Sequence, residues 1–151
     1  MVWGCMTPQG VGYMCKIDGR MDAELYTSIL QDGFLKTVEF YELDRADLIF
    51  QQDNDPKHTS KLASKWFQDN NINVLKWPAQ SPDLNPIEHL WHHLKQQLNA
   101  YKVPAAGMLE LWGWVEAEWN KIPMEVCRNL IESMPRRIEA VIQAKRGPTK
   151  Y

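Results

Sequence analysis

The chain has 151 residues, of which 44% are hydrophobic and 24% are charged, so its composition is that of a globular protein rather than a disordered or collagen-like one. No stretch approaches the roughly 18 apolar residues of a transmembrane helix, and the N-terminus lacks the basic and apolar regions of a signal peptide, so we expect an intracellular protein. The net charge is −2, but the charges are unevenly distributed. Residues 1–56 carry 4 basic and 10 acidic side chains, whereas residues 57–151 carry 13 basic and 9 acidic ones. Such an asymmetry is typical either of a surface that faces a polyanion or of an unevenly charged solvated surface.

The first third of the chain predicts a hairpin, a helix and a short strand. The apolar segments on either side of Thr7–Gly10 favour a hairpin, because the Pro and Gly between them are typical of such loops. Asp22 can cap a helix that we expect to end near Gly33. The apolar run Leu48–Phe50 predicts a strand buried on both faces.

The next elements are a second helix and a second strand. Thr59 or Ser60 can start a helix that ends at Asn70 and Asn71, and Ile72–Trp77 predicts a strand. Strands mixed with helices, followed by helices only, indicate an α/β fold in which helices cover a mixed sheet.

The last part of the chain is predicted to be helical. Asn85 at the cap, Pro86 in the first turn and Glu88 three residues after the cap are the signals of a helix N-terminus. Two further helices follow, one from Met108 and one with a kink at Pro135.

Two carboxylates could carry chemistry, and each has a second interpretation. Asp53 lies just past the strand Leu48–Phe50, where ligand sites collect in parallel sheets, and a carboxylate there can bind a divalent cation such as Mg²⁺. The segment 53–56, Asp-Asn-Asp-Pro, is also the chemistry of a turn. Glu88 can act in a site at the positive end of a helix dipole, or it can be a capping-box residue.

Histidine, cysteine and basic residues give weaker signals. His89, His92 and His93 share one helix and could hold zinc, but their order differs from His-Glu-x-x-His, and a polar helix face is the simpler interpretation. The three cysteines form neither a disulfide framework nor a C-x-x-C motif. Basic side chains near the C-terminus can contact phosphates or act as partners of helix dipoles: Arg136, Arg137, Lys145 and Arg146.

Two long segments carry the strongest signal. They are Phe50-Gln-Gln-Asp53-Asn-Asp-Pro-Lys-His58-Thr and Trp77-Pro-Ala-Gln-Ser-Pro-Asp-Leu-Asn-Pro-Ile-Glu88-His-Leu-Trp91, and 34 residues separate Asp53 from Glu88. These segments and their spacing closely resemble the catalytic domain of mariner-like and Tc-like DNA transposases. Met1-Val-Trp-Gly4 and Ser133-Met-Pro-Arg-Arg137 resemble the same family, so the resemblance covers nearly the whole chain.

The resemblance implies a single catalytic domain of the DDE class over residues 1–151, with a ribonuclease H-like mixed sheet flanked by helices and a helical C-terminal part. In that family a first catalytic Asp lies on a strand upstream of the Val-Trp-Gly hairpin, whereas this chain begins inside the hairpin. We therefore expect a partial domain that lacks the first central strand and the family's helix-turn-helix region. The strand before Asp53 would then have an open apolar edge, so we expect either the hairpin or a second chain to pair with it.

The resemblance also implies a chemistry. In the parent enzyme three carboxylates hold two Mg²⁺ or Mn²⁺ ions for DNA strand cleavage and strand transfer, with transposon ends and target DNA as partners. Asp53 would be the second of these carboxylates and Glu88 the third. A homodimer is a further expectation, as is a nuclear location in a eukaryotic source. Supporting or loop-shaping roles are expected for Asn54, Asp55, His58, Asp83 and Asn85, and contacts with DNA for Lys57, Arg136, Arg137, Lys145 and Arg146.

Three functions stay open at this point. The chain is the catalytic part of a DNA transposase, an inactive transposon-derived remnant that binds DNA or protein, or a structural zinc or helical interaction protein that uses His89, His92 and His93. Because two of the three metal ligands match and two-metal geometry needs all of them, we expect the chain alone to be inactive.

Overall fold

The computed structural model describes residues 1–77 and 84–144, which form an α/β fold of short strands and helices. The strands are β1 (Val2–Thr7), β2 (Gly10–Lys16), β3 (Ile49–Phe50) and β4 (Asn73–Val74). The α-helices are α1 (Ala23–Ile29), α2 (Leu35–Phe40), α3 (Lys61–Asp69), α4 (Ile87–Asn99), α5 (Met108–Asn120), α6 (Met124–Glu132) and α7 (Met134–Ala144). A π-helical segment, Leu30–Phe34, joins α1 to α2, and a 3₁₀ turn, Arg45–Asp47, precedes β3. None of the described helices is long and apolar enough to cross a membrane.

The described residues divide into two compact units. The first contains residues 1–5 and 12–77, and the second contains residues 6–11 and 84–144. The first unit therefore holds α1 to α3 together with β3 and β4, and the second holds α4 to α7.

One long helical segment forms the centre of the first unit. α1 begins after Asp22, whose Oδ1 accepts a hydrogen bond from the Leu25 N–H at 2.8 Å, as the sequence predicts. The helix does not end near Gly33, which corrects that prediction, because it continues through the π-helical segment and α2 to Phe40. Gly33 instead allows a close contact, since a Cβ at this position would lie 3.1 Å from the Trp3 ring.

The strands form two separate two-stranded ladders within residues 1–77. β1 and β2 make the predicted hairpin, and β3 pairs with β4 in parallel, with Ile49 opposite Asn73 and Phe50 opposite Val74. The expectation that the hairpin moves to pair with the strand before Asp53 is therefore wrong. Both parallel and antiparallel pairing are present, as expected for a mixed sheet, but the hairpin and the parallel pair share no ladder.

Packing on the long helical segment places the two ladders. Gly33 contacts Trp3 of β1, and the ring of the next residue, Phe34, lies 4.7 Å from the Phe50 ring of β3. The predicted strand Leu48–Phe50 is not buried on both faces, because Ile49 is 69% exposed. The predicted strand at residues 72–77 is reduced to β4, since the two residues of β3 offer only two pairing positions.

The helix α3 has the boundaries that the sequence predicts. Ser60 Oγ accepts a hydrogen bond from the Ala63 N–H at 3.1 Å, and Asn71, just past the helix end, adopts a left-handed φ of 55°. The buried face of α3 completes the core of the first unit, which consists of Cys5, Tyr26, Leu30, Phe34, Leu35, Val38, Ala63, Phe67 and Ile72.

In the second unit, α4 begins one residue later than the predicted cap requires. Pro86 occupies the cap position and Ile87 is the first helical residue, so Glu88 is the second residue of the helix and not a capping-box residue. The apolar faces of α4 and α5 meet where Trp91 stacks on the buried Trp119, with ring centroids 5.0 Å apart.

The C-terminal helices are interrupted rather than kinked. α6 ends at Glu132 and α7 begins at Met134, so Ser133 separates two helices where the sequence predicts one kinked helix. Pro135 lies in the first turn of α7, a position where its missing N–H leaves no hydrogen bond unmade.

Candidate metal centre

The residues after β3 fold into a series of local turns. Asp53 Oδ1 accepts a hydrogen bond from the Asp55 N–H at 3.1 Å. The Asp55 carbonyl in turn accepts from the N–H groups of His58 and Thr59 at 2.9 and 3.0 Å. Asn54 Nδ2 donates to the Trp77 carbonyl at 2.8 Å, which links this turn to the segment after β4. The turn interpretation of this segment is thus correct, and it fixes where the Asp53 carboxylate lies.

Asp53 has a partly buried partner on one side and solvent on the other. The Nδ1 atom of His58 lies 2.5 Å from Asp53 Oδ1, and the side chains of His58 and Asp53 are 15% and 58% exposed. Oδ2 of Asp53 takes part in neither of the hydrogen bonds made by Oδ1. A free carboxylate oxygen next to a strand end is the kind of ligand that Mg²⁺ and Mn²⁺ prefer, so the donor chemistry fits such an ion.

Tyr26 and Gln52 contact His58 on the side away from solvent and bond to each other. Tyr26 of α1, which is 1% exposed, donates its hydroxyl to Gln52 Oε1 at 2.5 Å, and its ring centroid lies 4.3 Å from that of His58. Gln52 Nε2 donates to the His58 carbonyl at 3.1 Å. Burial, with the negative charge of Asp53, raises the pKa of Tyr26, so the hydroxyl stays a donor. The sequence pattern marks Tyr26 only as a core residue, and nothing in it marks Gln52.

Lys57 is engaged within the turn. Its Nζ lies 2.5 Å from Asp55 Oδ2, and the Lys57 ammonium holds the pKa of Asp55 below its usual value. The charge predicted to contact DNA is therefore already paired with a neighbouring carboxylate.

Glu88 is positioned by its backbone alone. It is exposed on the first turn of α4, and its N–H donates to the Asn85 carbonyl at 3.2 Å. Its carboxylate makes no hydrogen bond or ion pair with any residue of the described ranges. Asp53 lies in the first unit and Glu88 in the second, and no group of three or more His, Cys, Asp or Glu side chains within residues 1–77 and 84–144 is arranged to hold a metal ion. Asp83, Lys145 and Arg146 lie outside the described residues.

Arg137, for which the sequence predicts a phosphate contact, is a buried residue. It is 2% exposed, its Nε donates to Ser133 Oγ at 2.7 Å, and its Nη1 lies 2.7 Å from His89 Nε2. These bonds use His89 in a helix contact, which gives it a structural role in place of a zinc-binding one. Arg136, the next residue back, is exposed.

Comparison with protein families and curated proteins gives a consistent result. Residues 1–109 match the family described as DDE superfamily endonuclease. The transposable element Tcb1 transposase of Caenorhabditis briggsae is 46% identical over 155 residues, and the Tc1 transposase of Caenorhabditis elegans is 44% identical over 153. Each alignment covers 100% of this chain and 54% of the relative, so the chain spans about half the length of the curated relatives it matches.

Solved structures give the fold. The Mos1 transposase catalytic domain, determined with raltegravir and Mg, matches with a TM-score of 0.83 at 22% identity, covering 99% of this chain and 75% of that one. The Mos1 paired-end complex with left transposon end matches with a TM-score of 0.85 at 20% identity, covering 99% and 44%. This likeness confirms the predicted α/β, ribonuclease H-like class.

Proposed function

Because the chain belongs to the DDE superfamily of endonucleases, we propose that it is the catalytic part of a DNA transposase that cuts transposon ends and joins them to target DNA. The single observation that carries this proposal is the Asp53 carboxylate, which follows β3 with one oxygen bonded to the protein and the other open to a cation. The names and identities of the nematode relatives support the same reaction.

In this proposal Asp53 and Glu88 bind Mg²⁺ or Mn²⁺. The chemistry that a pair of such ions supplies is activation of the attacking water or 3′-hydroxyl and stabilisation of the leaving oxygen. Asp53 contributes a carboxylate whose direction the surrounding turn fixes, and Glu88 contributes one from the exposed first turn of α4. The names of the solved relatives, which include Mg and Mn, support the choice of ion.

DNA is the proposed partner. Complexes of Mos1 with transposon-end DNA support this. Among the residues predicted to contact DNA, Arg136 is exposed, as a phosphate contact requires. Phosphate contacts by Lys145 and Arg146, a homodimer, and a nuclear location in a eukaryotic source stay predictions.

The test is nicking of labelled transposon-end DNA by the full-length protein that carries this chain. Asp53→Asn and Glu88→Gln should each lower the Mg²⁺-dependent rate by about 10³-fold, because several kcal/mol of charge stabilisation depend on the metal ligands. Retention of more than a tenth of the rate by either variant contradicts the assignment of that residue.

The chain offers a matched control for each variant. Asp44 Oδ1 accepts from the N–H two residues ahead at 2.9 Å, as Asp53 does, so Asp44→Asn removes the same charge from a similar turn. Glu125 is the second residue of α6, as Glu88 is of α4, so Glu125→Gln removes the same charge from the same helical position. Both controls should keep the full rate. If the unchanged full-length protein does not nick, the inactive alternative is favoured instead.

A further inference from the structure

The hydrogen bonds of the Asp53 side chain meet at one of its two oxygens. The Asp55 N–H lies 3.1 Å and His58 Nδ1 2.5 Å from Oδ1. The side chain is 58% exposed, and Oδ2 is free of both bonds. The two oxygens therefore have different tasks, since one is held by the protein and the other is open to a ligand.

Of the two donors, His58 is the one that the rest of the unit holds. Its ring packs on the buried Tyr26 ring, its carbonyl accepts from Gln52 Nε2 at 3.1 Å, and its N–H donates to the Asp55 carbonyl at 2.9 Å. The Tyr26 hydroxyl holds Gln52 in turn. The two hydrogen bonds fix the backbone of His58, and the imidazole cannot rotate away from Asp53 without losing its contact with the Tyr26 ring.

The surroundings of the His58 ring select which nitrogen carries the hydrogen. Nδ1 faces a carboxylate oxygen that only accepts, so Nδ1 is the donor. Nε2 is buried without a hydrogen-bond partner among the described residues, and an N–H at that position would lack an acceptor. We therefore assign the Nδ1–H tautomer, in which the ring donates to Asp53.

We propose that His58 is the positioning residue of Asp53, which binds Oδ1 and so directs Oδ2 toward the cation. The inference rests on the proposed function, because it concerns the ligand that Asp53 supplies. Partners of this kind keep a ligating side chain in one orientation, and their loss typically lowers metal affinity by about 10- to 100-fold. Glu88 has no such partner in the described ranges, so the effect belongs to Asp53 alone.

The first experiment measures the affinity of the 151-residue chain for Mn²⁺, by the electron paramagnetic resonance signal of the free ion. His58→Ala should weaken binding by about 10-fold. His58→Asn should restore affinity to near the original value, because Asn Nδ2 occupies the place of His Nδ1 and can donate the same hydrogen bond. His92→Ala, which removes an exposed histidine of α4 bonded only to Gln96 in the described part, should change nothing.

A second experiment observes the tautomer directly and starts from the unsubstituted chain. Long-range ¹H–¹⁵N spectra of histidine-labelled chain should show His58 as the Nδ1–H tautomer in the absence of metal, and Tyr26→Phe, which keeps the ring contact and removes the hydroxyl, should still show it. An Nε2–H tautomer overturns the proposal.

The outcomes separate the two claims. If Asp53→Ala abolishes Mn²⁺ binding and His58→Ala weakens it with rescue by Asn, the positioning role is supported. If Asp53→Ala abolishes binding but His58→Ala leaves it unchanged, the positioning role is overturned while the proposed function stands. If Asp53→Ala binds Mn²⁺ as tightly as the original chain, the assignment of Asp53 as a metal ligand fails, and the role of His58 fails with it.

Discussion

The two carboxylates proposed as metal ligands are held in opposite ways. Asp53 lies in a turn whose side chains bond to one another, and the partly buried His58 and the buried Tyr26 pack next to it. Glu88 lies on the first turn of a helix, where the backbone alone sets its position and the carboxylate extends into solvent. A loop has no regular backbone to orient a ligand, so side chains must do that work, whereas a helix orients its residues without help. Substitutions behind Asp53 should therefore have effects that substitutions near Glu88 do not.

The largest expected effect follows from removing the support behind Asp53. Tyr26→Ala should lower the free energy of unfolding by about 3–5 kcal/mol, because it leaves a cavity in the core of the first unit. Tyr13→Ala, at an aromatic residue that is 49% exposed, should lower it by far less. Chemical denaturation followed by circular dichroism measures the free energy of unfolding of both variants. A decrease below about 1 kcal/mol for Tyr26→Ala would mean that the fold around the Asp53 turn does not depend on the Tyr26 ring.

The space around two glycines differs between the two units. A Cβ at Gly12 in the first unit would lie 2.5 Å from Cys5 Sγ and 2.6 Å from the Thr37 side chain, whereas a Cβ at Gly113 of α5 in the second unit meets no atom within 4 Å. Gly12→Ala should therefore destabilise the chain by about 1–3 kcal/mol. Gly113→Ala should be neutral or stabilising by up to about 1 kcal/mol, since Ala favours a helix.

The same denaturation measurement decides between the two glycine variants. Equal effects of the two substitutions would contradict the difference in packing. A destabilising Gly113→Ala would locate a contact on α5 that the described residues do not provide.

Local signals predicted the parts of the fold that depend on neighbouring residues. The caps at Asp22 and Ser60, and the turn at Asp53, are each made by a side chain and a backbone group two or three residues away, so a sequence pattern contains both partners. The prediction that the helix ends near Gly33 was wrong, because this glycine makes room for the ring of Trp3, 30 positions away in the chain. The usual preference of glycine for helix ends could not reveal that contact.

The candidate site divides in the same way. Motif resemblance supplied Asp53, His58 and Glu88, but the contact between Tyr26 and His58 joins residues 26 and 58, which only the tertiary structure brings together. Arg137 shows the converse, since an arginine in a basic segment favours a surface interpretation until its contacts with Ser133 and His89 are known. The parts of the site that the sequence did not predict are therefore those that depend on contacts between residues far apart in the chain.

The smallest expected effect concerns acid stability of the Asp53 turn. Lys57 holds the pKa of Asp55 below its ordinary value of 3.8, so the unfolded chain binds the proton more tightly than the folded one. The pair therefore stabilises the fold above about pH 4, and this contribution is lost as the pH falls through the lowered pKa.

Lys57→Met should remove that part of the pH dependence, and because the pair is partly exposed the change should stay below about 1 kcal/mol. Denaturation curves between about pH 5 and pH 2.5 measure it, with the exposed Lys76→Met as the control for loss of a lysine. If both variants lose stability in parallel with the original chain across this range, Asp55 gains nothing from Lys57, and the turn that presents Asp53 relies on its hydrogen bonds to the backbone and to His58.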